Sequence, residues 1–308
     1  MGFLKLLVRN NKALMGLIIV GFFILTSALA PLITQYDSKK RTGRPHMAPD
    51  AEHVLGTTRM GRDVFAQTLY GGRLSLAVGF GAGIIVVAMA VAVGITAGYF
   101  GGLIDEILSS LMNIMLVIPQ LPLLMVLAAF IGQASPMVIA LIIGLTSWAW
   151  GARVVRSQTL AVREKEFVVA AQVLGEPSWR IIVIEILPNL ISIIGASFIG
   201  SVIYAIMTQA TLEFLGLGDP TAVTWGTQLY NMQNTSAINI GAWWEVFSPI
   251  VVIACVGAGL ALLNFAVDEI ANPQLRSHVG LKRWKQITAE KEAEALQEQQ
   301  GKVQGAAS

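Results

Sequence analysis

Apolar runs separated by short polar interruptions set the pattern of this chain. Six of them stand out: Ala13 to Ile33, Leu74 to Phe100, Ile107 to Ile131, Met137 to Val155, Leu190 to Leu212 and Phe247 to Val267. A bilayer core about 30 Å thick takes about 20 apolar residues per helix, so each run is long enough to cross it. In hydrocarbon a backbone must satisfy its own hydrogen bonds, and a helix does so within one segment. The pattern predicts an all-α integral membrane protein with six transmembrane helices. The third run contains Pro119 and Pro122, which predict a kink or break. In the second run, Gly79, Gly81, Gly83, Gly94 and Gly98 predict close helix–helix approach. Just before it, Val64, Phe65, Thr68 and Leu69 stand at helical spacing, which predicts a short amphipathic helix on the outer surface.

Composition agrees with this reading. The chain is 55% hydrophobic and 13% charged, against about 25% charged in a soluble domain. Cys255 is the single cysteine, so no intrachain disulfide and no Cys/His metal spacing exists. A net charge of +2 is too small to suggest nucleic acid as a partner. Lys5, Arg9 and Lys12 precede a first apolar run longer than the core of a signal peptide, so an uncleaved anchor with a cytoplasmic amino end is expected. The chain divides into an anchor and external segment (1–73), a core of five spans (74–276) and a polar tail (277–308).

Alternation then puts both termini and the loop between spans four and five in the cytoplasm. Arg153, Arg156, Arg163, Lys165, Arg180 and the basic residues of the tail fall inside with them. Lys39, Lys40, Arg41, Arg44, Arg59, Arg62 and Arg73 fall outside, contrary to the usual bias of short loops. The other long external loop, Glu213 to Val246, has no Lys or Arg.

Residues 166 to 189, between the fourth and fifth runs, read EFVVAAQVLGEPSWRIIVIEILPN. Glu166 suits the positive end of a helix, and Leu174-Gly175 suits a left-handed cap. Phe167, Ala170, Ala171 and Leu174 share a face by i, i+3, i+4 spacing, and the alanine pair leaves a shallow place for another surface. Pro177 stops the helix. Two readings stand: a surface helix resting on the bundle, or a docking helix inserted into a cytoplasmic partner.

Ala170-Ala171, three residues, Gly175, nine residues and a closing Leu187-Pro188 resemble the EAA loop of permease subunits of ATP-binding-cassette importers. Val169 and Glu185 depart from the strict pattern, and Glu166 stands where the peptide-importer branch carries its acid. LGTTRMGRDVFAQTLYGGRLSL at 55 to 76, then TLEFLGLGDP, TWGTQL and DEIANPQLR, resemble segments of the C-component permease of dipeptide and oligopeptide importers. The resemblance implies the type I importer permease fold and a cytoplasmic coupling helix. Glu166, Phe167, Ala170, Ala171 and Leu174 would meet an ATPase, with Gly175 and Pro177 setting the angle. It also implies a second permease subunit as a heterodimer partner, two ATPase subunits carrying ATP and Mg, and an extracytoplasmic solute-binding protein. No cofactor is implied in this chain, and no Walker A sequence is present in it.

In the fifth run Ser197, Ser201, Tyr204, Thr208 and Thr211 fall within an arc of about 80°. That stripe is read either as interhelical hydrogen bonding or as the lining of a solute path, with Gln209 beside it. The family tends to carry Glu at the position of Gln209 and Ser at that of Glu213. Loss of a fixed anion there would weaken attraction for a peptide's amino group and affect a polyhydroxyl solute less, so oligosaccharides stand beside oligopeptides, with nickel complexes a further alternative. Trp225, Tyr230, Trp243 and Trp244 in the last external loop are read as interface anchors, or as contacts for the binding protein. No esterase or zinc-protease motif appears, so an enzyme is not expected. A secondary transporter would place ionisable residues near mid-membrane, whereas Asp105, Glu106, Glu213 and Asp268 stand near span ends.

Overall fold

Helix starts and stops follow the local chemistry. Asn10 caps α1 (Asn11–Ala28), its side chain accepting from the Lys12 amide. A short α2 (Ala30–Ile33) follows. Asp63 caps α3 (Val64–Phe100), accepting from the Ala66 amide at 2.6 Å, and Gly101 ends it at φ 67°. Then come α4 (Gly102–Val117), α5 (Gln120–Ile131), α6 (Pro136–Thr146) and α7 (Ala149–Arg163). A short α8 (Glu166–Val173) leads into α9 (Ser178–Phe214), and α10 (Trp225–Asn234) and α11 (Trp243–Ala271) follow. The computed structural model describes residues 10–235 and 237–271, with side chains through 269. Lys5, Arg9, His278 and the tail from 277 to 308 lie outside the described residues.

Among the described residues four helices are long and apolar enough to cross a membrane unbroken: α1, α3, α9 and α11. The remaining two spans are bent pairs, α4 with α5 at 83° and α6 with α7 at 41°. The first break has the expected cause, since Pro119 and Pro122 offer no amide hydrogens to the helix. The second carries no proline. There the Thr146 hydroxyl donates to the Ile142 carbonyl at 2.7 Å, a back-bond that bends helices, and Ser147 ends α6. The α9 helix begins with a wide turn over Ile181–Ile186, where the Leu187 amide reaches back to the Ile182 carbonyl. Pro188, which has no N–H to give, follows directly.

At the centre α3 packs against α9. On one flank lie α11 and α1; on the other, α6 and α7, with α4 outermost. The expected short helix over Arg62 to Gly72 is instead the buried first part of α3, with Val64 at 2% and Ala66 at 0% exposure. Four of the five glycines in this span sit at crossings. Gly79 and Gly83 face Ile206 and Val202 of α9, and a Cβ on Gly94 would lie 2.6 Å from the Ala152 carbonyl oxygen of α7. Gly98 meets Thr159, while Gly81 has nothing within 4 Å.

Replacing Gly94 with valine forces atoms into that crossing, and overpacking of this kind costs about 1–3 kcal/mol. The Tm of the detergent-solubilised Gly94→Val protein should fall by several degrees, while Gly81→Ala should melt like the parent. Equal melting of all three would mean that α3 and α7 do not approach this closely.

Candidate functional site

The two breaks meet at one place. The Gln120 side-chain amide, at the start of α5, donates to the Thr146 hydroxyl at 3.1 Å and the Ser147 hydroxyl at 3.0 Å, at the end of α6. These residues form one wall of an open cleft of about 580 Å³. Val86, Val87 and Ala90 of α3 contribute the apolar part, and Trp150 stands at the start of α7. Across from the breaks are Ser197, Ser201 and Tyr204 of α9, with Asn264 and Asp268 of α11. The lining is mostly apolar, relieved by neutral hydroxyls and amides, and among the described residues Asp268 is its one ionisable side chain other than the Tyr204 phenol. Such a surface holds hydrogen-bonding solutes without fixing a single one of them.

The polar stripe of α9 therefore divides. Ser197, Ser201 and Tyr204 face the cleft. Thr208 is buried, and Thr211 returns its hydroxyl to the Met207 carbonyl at 2.8 Å. Gln209 is 1% exposed and donates to Glu213 Oε1 at 3.0 Å, so it fastens a joint and lines nothing. In that joint Glu213 Oε2 accepts from the Thr224 hydroxyl at 2.5 Å, at the cap of α10. A Cβ on Gly226 would lie 2.4 Å from the same oxygen, which is why glycine stands there. Sequence reasoning missed this latch. Its available signal was Thr224 and Thr227, a reciprocal cap in front of a helix where a loop was expected.

That same helix overturns the reading of the external aromatics. The segment from Glu213 to Val246 is not a plain loop, because α10 inserts between α9, α11 and α3. Trp225 is 1% exposed; its amide donates to Ser75 Oγ and its indole to the Thr68 carbonyl, so it neither anchors an interface nor meets a partner. Trp244 is likewise buried, its indole donating to the Thr57 carbonyl. Tyr230 is half-buried against Gly216, and Trp243 alone of the four is exposed.

At the opposite end lies α8. Val168 is fully buried among Ile95, Tyr99, Val155, Ile181 and Ile186, pinning the helix to the ends of α3, α7 and α9. The Gly175 and Glu176 amides bond back to the Gln172 and Ala171 carbonyls, with Gly175 at φ 77°, a left-handed cap of the kind expected. Pro177 opens α9 immediately afterwards, and Glu176 is paired with Arg180 at 2.9 Å. The exposed face carries Glu166, Phe167, Val169, Ala170, Val173 and Leu174. Ala171 is turned inward against the Val168 cluster and is not on that face, because it stands only three residues from the anchor. Val169 and Val173, which the spacing argument left out, take its place.

The arrangement, broken spans around a cleft and a pinned helix beyond the bundle, can be compared with known proteins. Residues 90–277 match the family of binding-protein-dependent transport system inner membrane components. Residues 2–49 match the N-terminal transmembrane domain of oligopeptide transport permease C. The chain belongs to this permease family. A dipeptide transport system permease protein of Alkalihalophilus pseudofirmus is 34% identical over 89% of this chain and 89% of its own. Its counterpart in Bacillus subtilis is 32% identical over 87% of this chain and 83% of its own, and the oligopeptide transport system permease protein of that organism is 31% identical over 87% and 88%. As a permease, the chain is a membrane-spanning component of the ATP-binding-cassette importer class, with the type I permease fold that its sequence led one to expect.

Cleft exposure on the permease is directly testable. With Cys255 replaced by serine, Ser197→Cys and Ser201→Cys should react readily with a charged, water-soluble thiol reagent. Thr208→Cys should react far more slowly, since an opening cost of about 1.4 kcal/mol already separates rates tenfold. Equal rates at the three positions would remove the serines from the cleft wall.

Proposed function

We propose that this permease pairs with a second permease subunit across its cleft to form the path of an oligopeptide importer, driven by two separate ATPase subunits. The names of its relatives support peptides as the solute class, and the neutral hydroxyls and amides of the cleft suit the repeating amide groups of a peptide chain. The tryptophans of the last external loop, which suggested stacking on sugars, are buried or outside the cleft, and Trp150 is the one tryptophan in its described lining. The proposal places both termini and α8 in the cytoplasm of a prokaryotic cell, and a soluble solute-binding protein on the other side. ATP and its Mg would sit on the ATPase subunits, and this chain would carry no chemistry of its own.

The observation that carries this reading is the outer face of α8. Val173 is 82% and Leu174 81% exposed, beyond the apolar bundle, on a helix whose opposite side is locked by Val168. Apolar side chains held out this way are suited to a groove on another protein. ATP-driven closure of two ATPases would draw their helices together and open the permease pair outward, and hydrolysis would let it relax inward. Because α9 starts at Ser178, directly after the Gly175 cap and Pro177, and runs on through the wide turn at Ile181–Ile186, movement of α8 would reach Ser197, Ser201 and Tyr204 along one continuous helix.

Val173→Asp would bury an unpaired carboxylate in such a groove, at a cost of several kcal/mol. The variant should insert and pair with its partner permease normally, yet lose the ATPases in a mild-detergent pull-down and lose peptide uptake. Ala171→Asp should instead lower the Tm of the permease itself. Full uptake by the Val173 variant would remove α8 as the ATPase contact.

A further inference from the structure

The segment between α2 and α3 is irregular, and it is rigidly built. The Thr42 and Gly43 amides bond the Gly61 carbonyl, the His46 amide bonds the Thr58 carbonyl, and the Thr57 hydroxyl donates to the Arg44 carbonyl. Gly56 and Gly61 hold positive φ, and a Cβ on Gly61 would lie 2.3 Å from the Gly43 carbonyl oxygen. Two passes of chain, 41–47 and 56–62, are thereby zipped together. Their outer ends are bolted to the helices. His53 Nδ1 meets the Asp63 carboxylate at 2.8 Å, at the cap of α3; His46 Nδ1 meets Glu245 at 2.6 Å, in the first turn of α11.

This zipper brings Arg41 and Arg44 of one pass beside Arg59 and Arg62 of the other. Three of the four are exposed and Arg62 is half-buried. Among the described residues none has a carboxylate within ion-pair distance. The acids of the segment are otherwise engaged or distant: Asp37 pairs with Lys40, Asp63 with His53, and Asp50 caps its own turn, leaving Glu52 beside that turn at the far tip. The pit beside Arg59 and Arg62 is only about 20 Å³; in it the Gln67 and Gln228 amides already donate to the Ser38 and Gln67 carbonyls and Glu245 is engaged by His46, so the groups open to a partner are the guanidiniums. Four like charges held together on a stiff frame repel one another, and a translocated loop is a costly place to keep them. The rest of the same side, Glu213 to Val246, has no basic residue at all.

We propose that Arg41, Arg44, Arg59 and Arg62 form a docking platform for acidic side chains on the soluble protein that delivers solute to this complex. The inference rests on the importer reading above, which requires such a protein on this side. Guanidinium groups pair carboxylates in a two-pronged geometry, and positive charge on a rigid frame selects a partner surface of the opposite sign. Charges exposed at such a surface act mainly on the rate of encounter and its salt dependence. The frame ties the platform to the cap of α3 and the first turn of α11, so a docked protein would press on helices that line the cleft.

The test uses the complete importer in nanodiscs of phosphatidylcholine, with the solute-binding protein that co-purifies with it as the probe. Association rates are measured from low to high salt for the parent, for Arg44→Glu with Arg59→Glu, and for Arg44→Lys with Arg59→Lys. Neither side chain belongs to the hydrogen-bonded frame. The Glu variant should associate at least about tenfold more slowly at low salt, with a flattened salt dependence, while the Lys variant stays within a few-fold of the parent. Parent-like rates for the Glu variant would overturn the platform and leave the importer reading standing. Failure of the parent complex to bind any such protein would overturn both. Loss in the Glu variant confined to nanodiscs containing phosphatidylglycerol would assign the arginines to lipid headgroups and also overturn the proposal.

Discussion

A peptide group that enters hydrocarbon without a partner costs several kcal/mol, so each departure from helix in this bundle needs a place where the freed groups are satisfied. The chain breaks two spans, and both breaks open on the same cleft. Pro119 supplies one by lacking an amide hydrogen; Thr146 supplies the other by turning its hydroxyl on the backbone, and it and Ser147 accept from the Gln120 amide. Polar side chains collected there serve two ends at once. They bond one another across the two joints, and in the proposed importer they would give a passing solute groups to bond with. A water-accessible cleft is thus both the condition for the breaks and their consequence.

The unbroken helices answer a different demand. With no water-driven hydrophobic force between helices in lipid, they hold together by close packing, and small residues permit it. Gly94 against the Ala152 carbonyl, Gly79 and Gly83 against Ile206 and Val202, and Gly16 against the Gly259 carbonyl are the contacts where this is visible. They fix α3 to α7 and α9, and α1 to α11. The interior that results is dense, so displacement of one rod is passed on to its neighbours and not absorbed.

Sequence pattern reveals some of this and hides the rest for physical reasons. Apolar length is a direct read-out of bilayer thickness, so the spans were plain, and Pro119 announced its break. The break at Thr146 and Ser147 was hidden because hydroxyl back-bonding leaves no fixed signature in a run as apolar as Pro136 to Thr146. Gly175 gave away the end of α8, since few residues other than glycine adopt a left-handed cap. Which face of α8 looks outward was not legible. Spacing grouped Ala171 with Phe167 and Ala170, but only the buried position of Val168 decides the rotation. Trp225 shows the limit most sharply. Tryptophan in a span-flanking loop is usually an interface residue; here the loop is a helix packed into the bundle, and the indole spends its hydrogen on Thr68.

The position of the stiff and the jointed parts bears on how such a machine could work. Both proposed partner surfaces are held by unbroken rods, the first of them also by α7 of a jointed span. The α8 helix is pinned by Val168 to the ends of α3, α7 and α9, and the arginine platform is bolted through Asp63 and Glu245 to the starts of α3 and α11. The Glu213 latch closes the far end of α9 on α10, so that rod is held at both ends. The jointed spans, α4 with α5 and α6 with α7, lie on the opposite flank of α3 from α11 and contribute the Gln120 wall of the cleft. A push on either surface thus acts first on the unbroken rods, against a wall that carries the two breaks. The opening of the cleft is then governed by the few bonds at that wall, above all the two that Gln120 donates across the pair of breaks.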